Sequence, residues 1–122
     1  LKLPFFFISG VVAPDESGLK TLVTGLNTGG LSNNGELNDP LLVNTFFWID
    51  NSGLLRFIII PRKAHRPSCY YLDGEKNRMV SPGSIDMGGI IIVPREKDFE
   101  SLTSDEIRHI YSEVAITHDS LI

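Results

Sequence analysis

The densest chemistry in the chain is cationic. Pro61-Arg62-Lys63-Ala64-His65-Arg66-Pro67 sets four side chains that are or can become positive within five residues, between prolines that stiffen the loop. A guanidinium offers a planar fork that matches phosphate oxygens. An imidazole can donate to an anion or, when neutral, carry a proton. Read this way, Arg62, His65 and Arg66 form an anion site. The competing reading is a solvated loop whose arginines pair with Asp73 or Glu75.

A second candidate is Ser81-Pro82-Gly83-Ser84-Ile85-Asp86-Met87-Gly88-Gly89. Its three glycines and two serines allow close backbone approach to a ligand, and free amides can cradle an anion. No Gly-Lys-Ser/Thr follows, and a strand is expected where a dinucleotide fingerprint needs a helix. Asp86 is placed to accept a sugar hydroxyl or to hold Arg62. The plainer alternative is a tight turn entering a buried strand, with Gly88-Gly89 as a bulge. The third run, Pro94-Arg95-Glu96-Lys97-Asp98-Phe99-Glu100, reads as a solvated loop of mixed charge anchored to the core by Phe99. Arg95 repeats the position of Arg62: both follow an apolar run and a proline, thirty-three residues apart, which suggests two central strands each presenting an arginine.

No complete catalytic set accompanies these runs. The three histidines, His65, His109 and His118, form no His-x-His or His-Glu-x-x-His pattern, and no nucleophile elbow is present. Cys69 is the single cysteine, which excludes an internal disulfide and a cysteine-based zinc site. No catalytic residue, metal site or cofactor is assigned.

The elements that must position these runs follow from hydrophobic pattern. Phe5–Val12 predicts a strand, and Asp15 caps a helix with Leu19, Leu22, Val23 and Leu26 on one stripe. The polar, Asn- and Gly-rich run Leu31–Pro40 predicts a loop. Leu42–Ile49, the turn Asp50–Gly53 and Leu54–Ile60 predict a hairpin. Cys69–Leu72 predicts a short extended piece and Ile90–Val93 a strand buried on both faces. Thr103 and Glu106 form a capping box for a last helix whose inner face is Ile107, Ile110, Tyr111, Val114 and Ala115. The expected class is α+β, a mostly antiparallel sheet packed by about two helices, in one domain over residues 1–122. The chain begins at leucine, so either its start was trimmed or it is a segment of a longer chain.

With 11 basic and 15 acidic side chains the net charge is -4, which argues against a nucleic-acid partner. No apolar run reaches the roughly 18 residues a membrane span needs. The poor leader pattern and the single cysteine point to the cytoplasm; the odd start is the only support for a secreted binding module.

The three runs together resemble the carboxyl-terminal part of a bacterial family in the histidine-triad and galactose-1-phosphate uridylyltransferase superfamily. They are similar, more distantly, to GDP-L-galactose phosphorylase. There an Asn-Pro-Ala stretch, an acidic residue, a glycine and a Lys-Arg-Lys-x-Asp-Tyr run occur in the same order. Here Ser81-Pro82-Gly83, Asp86, Gly88 and Asp98-Phe99 stand at those positions. The resemblance is strongest from Leu54 to Ser112. It implies a HIT-like, GalT-like half that binds a nucleotide or nucleotide sugar and phosphate, with Arg62, His65, Arg66, Asp86 and Arg95 toward the substrate. In that superfamily a His-x-His-x-Gln or His-x-His-x-His motif supplies the nucleophile for the α-phosphate. This sequence lacks the motif, so catalysis would need the upstream half of the same chain, and the segment alone is expected to be inactive. The alternative is a non-catalytic structural or dimerisation domain, paired as a homodimer through an edge strand, whose Arg/His cluster is only surface. On the first reading, Arg62→Ala in the intact enzyme is expected to weaken nucleotide binding; unchanged affinity by equilibrium dialysis removes Arg62 from the site.

Overall fold

A computed structural model describes residues 5–28 and 42–117. The predicted Leu31–Pro40 loop and His118 lie outside these residues. The fold is α+β, with a three-stranded antiparallel sheet and four α-helices among the described residues. Its contacts divide into two compact units, Phe7–Pro61 and a second formed by Arg62–Ile122 with Leu1–Phe6.

The first unit holds β1 (Ile8–Val12), α1 (Glu16–Thr28), β2 (Val43–Ile49) and β3 (Leu55–Pro61), with sheet order β1-β3-β2. The hairpin forms where expected, and β3 lies at the centre because it is the most apolar strand. Its register pairs Phe47 with Phe57 and Thr45 with Ile59. Asp50 closes the turn: one carboxylate oxygen accepts the Ser52 and Leu54 amides at 2.8 and 3.1 Å, the other the Arg56 guanidinium at 2.6 Å. Phe57, Ile59 and Leu22 form the core, with Ile8, Val12, Leu26 and Val43 around them.

Helix α1 starts at the predicted cap, with the Gly18 amide donating to Asp15 Oδ1 at 2.8 Å. Its buried row is Gly18, Leu22 and Leu26, at i, i+4 and i+8, rather than the expected stripe. Leu19 and Val23 face solvent. Gly18 explains the rotation, since its bare backbone sits against Ala13, where a Cβ would lie 2.0 Å from the carbonyl oxygen.

The second unit contains α2 (Ser84–Met87), α3 (Glu96–Ser101), α4 (Ser104–Val114) and two 3₁₀ turns, Ser68–Tyr71 and Gly74–Lys76. Phe5, Val80, Met87, Ile110, Val114 and Ala115 are its buried apolar side chains. Helix α4 has the predicted capping box: Thr103 Oγ1 accepts from the Glu106 amide at 3.2 Å, and Glu106 accepts from the Thr103 amide at 2.9 Å. Its last turn is tied down by the Lys63 amide on the Val114 carbonyl and the Phe6 amide on the Ile116 carbonyl. That second bond is why β1 begins at Ile8 and not at Phe5, whose ring meets Tyr111 at 5.9 Å.

Four expectations fail here, each for a local reason. Cys69–Leu72 is not extended: Pro67 opens a 3₁₀ turn, and its carbonyl accepts the Tyr70 amide. Ile90–Val93 is not a strand, and Ile90 and Ile92 are 69% and 53% exposed. Its amides are taken locally, Ile90 by the Ile85 carbonyl and Ile92 by the Asp86 carboxylate. Gly88-Gly89 is no bulge, because Gly88 caps α2 and Gly89 has φ +109, a conformation that favours glycine. The charged run after Arg95 is helix α3, and Phe99 is 74% exposed rather than an anchor. The repeated apolar-Pro-Arg run is thus a strand at one copy only.

Gly18→Ala is expected to destabilise the first unit by about 1–3 kcal/mol, the usual cost of forcing an added methyl into a filled space. Gly25→Ala, where a Cβ would meet nothing within 4 Å, is expected to stabilise by up to about 1 kcal/mol. Urea midpoints of the two variants check both signs.

Candidate functional site

The cationic run leads into the second unit, and burial separates its members. Arg62 is buried, and its guanidinium donates to backbone carbonyls: Nε to Ala64 at 3.2 Å, Nη2 to His65 at 2.8 Å and Nη1 to Pro82. Burial pulls its pKa down, and the charge of Asp86 pushes it back up. A desolvated guanidinium costs several kcal/mol, which charge-assisted bonds of about 1.5–3 kcal/mol each must offset. Arg62 therefore joins its own loop to the Pro82 turn. Neither Asp73 nor Glu75 is bonded to it in this arrangement. Removing the side chain would strand those carbonyls, so any loss of ligand binding in Arg62→Ala would come with a loss of stability.

His65 is exposed, and its carbonyl is what Arg62 holds. Arg66 is half-buried on a different footing. Its guanidinium carbon lies 4.2 Å from the centre of the Tyr70 ring, and Nε donates to Ser81 Oγ at 3.4 Å. Among the described residues, no carboxylate forms an ion pair with Arg66.

Asp86 is buried on α2. Oδ2 accepts the Gly83 amide at 2.9 Å and Oδ1 the Ile92 amide at 2.8 Å, while its carbonyl accepts the Tyr111 hydroxyl at 2.5 Å. The carboxylate thus ties the Pro82-Gly83 turn to the exposed 90–93 segment, and the expected direct hold on Arg62 is replaced by electrostatic attraction. Between these parts lies a cleft of about 400 Å³. Met79, Ile85, Ile92 and Pro94 supply its apolar wall, and Tyr70, Ser81, Gly83, Ser84 and Asp86 its polar side. Arg66 borders it through Tyr70 and Ser81.

Arg95 lies apart from that cleft in bonding. It donates to Asp98 Oδ2 at 2.7 Å from Nε and to the Asn77 carbonyl at 2.9 Å from Nη2. Asp98 is fully buried, and it also accepts the Met79 amide at 3.1 Å and Arg78 at 3.5 Å. Arg78 continues to Glu106 at 2.8 Å and to Ser101 Oγ at 2.9 Å. Burial pushes the Asp98 pKa up, but the Met79 amide and the Arg95 and Arg78 guanidinium groups outweigh it and hold it low. Glu106 is held low by the Thr103 amide and then by Arg78.

A second cleft, about 310 Å³, is lined by Cys69, Lys76, Arg78, Asp105, Glu106, His109 and Ile110. Burial raises the Cys69 thiol, which keeps it protonated and a poor nucleophile. A wider depression along α1 holds the exposed Lys20–Glu16 pair and the Thr21 hydroxyl bonded to the Ser17 carbonyl. Among the described residues, no group of three or more His, Cys, Asp or Glu could hold a metal ion, and no helix is long and apolar enough to cross a membrane.

Of the five residues singled out in the sequence, Asp86 lines the cleft, and Arg66 touches two of its lining residues, Tyr70 and Ser81. Arg62 braces the cleft from inside, and Arg95 belongs to the Asp98 network. Tyr70 and Asp98 were overlooked as site residues. The signal for Tyr70 was a tyrosine four residues after Arg66; Asp98 looked like one charge among many. Comparison with protein-family models, with curated proteins and with solved structures finds no match to this chain.

Asp98→Asn is expected to destabilise by about 3 kcal/mol, because it leaves Arg78 and Arg95 without their buried counter-charge. The depressed Asp98 and Glu106 groups give stability that is full above the unfolded carboxylate pKa, about 4. It is lost as pH falls through their lower folded values. The melting temperature of the native chain should drop below about pH 4, and Asp98→Asn should flatten that drop.

Proposed function

We propose that the chain is the nucleotide-binding half of a nucleotidyltransferase or nucleotide-sugar phosphorylase acting at an α-phosphate. The observation that carries this reading is Arg66. It is a guanidinium stacked on Tyr70, without a carboxylate partner among the described residues, beside a cleft with one apolar wall. An arginine buried against carbonyls or paired with a carboxylate has its donors committed to the fold. A stacked, uncompensated one keeps donors for phosphate oxygens, and the ring fixes the plane of its fork. The wall of Met79, Ile85, Ile92 and Pro94 suits a flat ring or a sugar face. The residues of this sequence supply binding and charge stabilisation but no His-x-His nucleophile, so transfer requires a histidine from outside them.

A second reading is favoured by a different observation. Phe47, Trp48 and Ile49 are exposed at the end of the edge strand β2, which carries no charge or proline to guard it. That supports a structural domain that pairs with a second copy.

Equilibrium dialysis of the full chain against GDP, together with sedimentation at several protein concentrations, separates the two. On the first reading GDP binds, and Arg66→Gln weakens it by about 10- to 100-fold, the worth of a charge-assisted hydrogen bond to phosphate. Binding that Arg66→Gln leaves unchanged, or no binding with a concentration-dependent dimer, rejects it.

A further inference from the structure

We infer that Glu113, on α4 and not among the residues lining the cleft, is a positioning residue for ligand binding. It holds Ser68, and through Ser68 it holds the Arg66–Tyr70 stack in the geometry that a phosphate meets. This rests on the proposed nucleotide-binding reading and names a further residue on which that site depends. Arg66 and Tyr70 stack at 4.2 Å across three intervening residues, Pro67, Ser68 and Cys69, whose backbone sets that distance. The ring of Pro67 fixes its own φ. Ser68 then opens the 3₁₀ turn Ser68–Tyr71. Such a turn has poorer hydrogen-bond geometry than an α-helix and holds its direction weakly by itself.

Glu113 grips this turn from 45 residues along the chain. Its Oε2 accepts the Ser68 amide at 2.9 Å, and its Oε1 accepts the Ser68 hydroxyl at 2.7 Å. Two oxygens on two atoms of one residue fix its orientation as well as its place. The far end of the turn is tied separately, by Asn77 Nδ2 on the Tyr70 carbonyl at 2.9 Å and by the Arg78 amide on the Cys69 carbonyl at 3.0 Å.

The anchor is itself firmly held. Val114 beside it is fully buried, and its carbonyl accepts the Lys63 amide at 2.9 Å. Two residues before Glu113, the Tyr111 hydroxyl donates to the Asp86 carbonyl at 2.5 Å. The last turns of α4 therefore grip both the loop that carries Arg66 and the helix that carries Asp86. Burial pushes the Glu113 carboxyl up, but the Ser68 hydroxyl and amide and His109, 3.4 Å away, outweigh that and hold it low. What the turn needs from Glu113 is the pair of bonds and not the charge. A glutamine oxygen can accept the Ser68 amide while its nitrogen donates to the Ser68 hydroxyl, which serves as donor or acceptor. An alanine makes neither bond.

The test is equilibrium dialysis of the full chain against GDP at neutral pH, with circular dichroism confirming that each variant is folded at the temperature used. Glu113→Ala is expected to raise the dissociation constant by about 3- to 10-fold, the low end of coupling within one hydrogen-bonded network. Glu113→Gln is expected to restore most of that loss. In an Arg66→Gln background the effect of Glu113→Ala is expected to shrink below about twofold, because the guanidinium it positions is gone. Should Glu113→Ala not fold, Ser68→Ala, which deletes one of the two bonds, carries the test with an expected loss of about 2- to 3-fold. Three results overturn the inference while leaving nucleotide binding standing. They are unchanged affinity in Glu113→Ala or in its Ser68→Ala substitute, a glutamine variant as weak as the alanine one, or the same fold-loss with and without Arg66. If the native chain does not bind GDP, or Arg66→Gln binds it equally well, the proposed function fails and this inference with it.

Discussion

The carboxylate of Asp86 is the constraint on which the candidate site depends. A four-residue helix has almost no hydrogen bonds of its own, and it would not persist on propensity. It persists because one buried side chain takes the Gly83 amide before it and the Ile92 amide after it. Those bonds bend the chain around α2 and tie the 90–93 segment to the residues just before the helix. The cleft is the space this bend encloses. Tyr111 locks the arrangement to α4 through the Asp86 carbonyl, and Arg62 locks the turn through the carbonyl of Pro82.

The cationic residues of this unit divide by what they neutralise. Arg62 is bonded to carbonyls, which lets a guanidinium sit inside at tolerable cost. Arg78 and Arg95 are bonded to Asp98, whose charge would otherwise be uncompensated in a fully covered position. Such a pair contributes little net stability compared with an apolar replacement, but breaking it is costly. It pins the start of α3 to the strand-like run at Met79 and thereby holds one side of the apolar wall. Arg66 has neither buried carbonyls nor a carboxylate among the described residues, and its stacking on Tyr70 and its bond to Ser81 Oγ hold it in place. That difference in pairing, not the abundance of positive charge in the run, sets Arg66 apart from the framework arginines.

Apolar exposure is distributed in a related way. Ile85, Ile90 and Ile92 are open because their segment is tied down by its amides rather than by its side chains. An extended run of β-branched residues normally buries itself in a sheet, where its amides find partners. Here the partners are a carbonyl and a carboxylate a few residues upstream, so the side chains stay outside, and that of Ile92 becomes cleft wall.

Local chemistry was legible in the amino-acid order. The hairpin, the Asp15 cap, the Thr103–Glu106 capping box and the inner face of α4 depend on neighbours within a few residues, and all form as the order implies. The α+β class follows from them. What the order could not settle was decided by which groups the fold brought together, some a few residues apart and some about twenty. Whether Ile90–Val93 joined a sheet depended on who took its amides. The inward face of α1 depended on how near Ala13 came to Gly18. Whether Arg62 and Arg95 were bonded into the fold depended on Pro82, Asn77 and Asp98, 20, 18 and 3 residues away from Arg62, Arg95 and Arg95 in turn. Hydrophobic period and capping are short-range and can be read from residue types. Burial and the pairing of charges are properties of the folded neighbourhood, and only the tertiary structure assigns them.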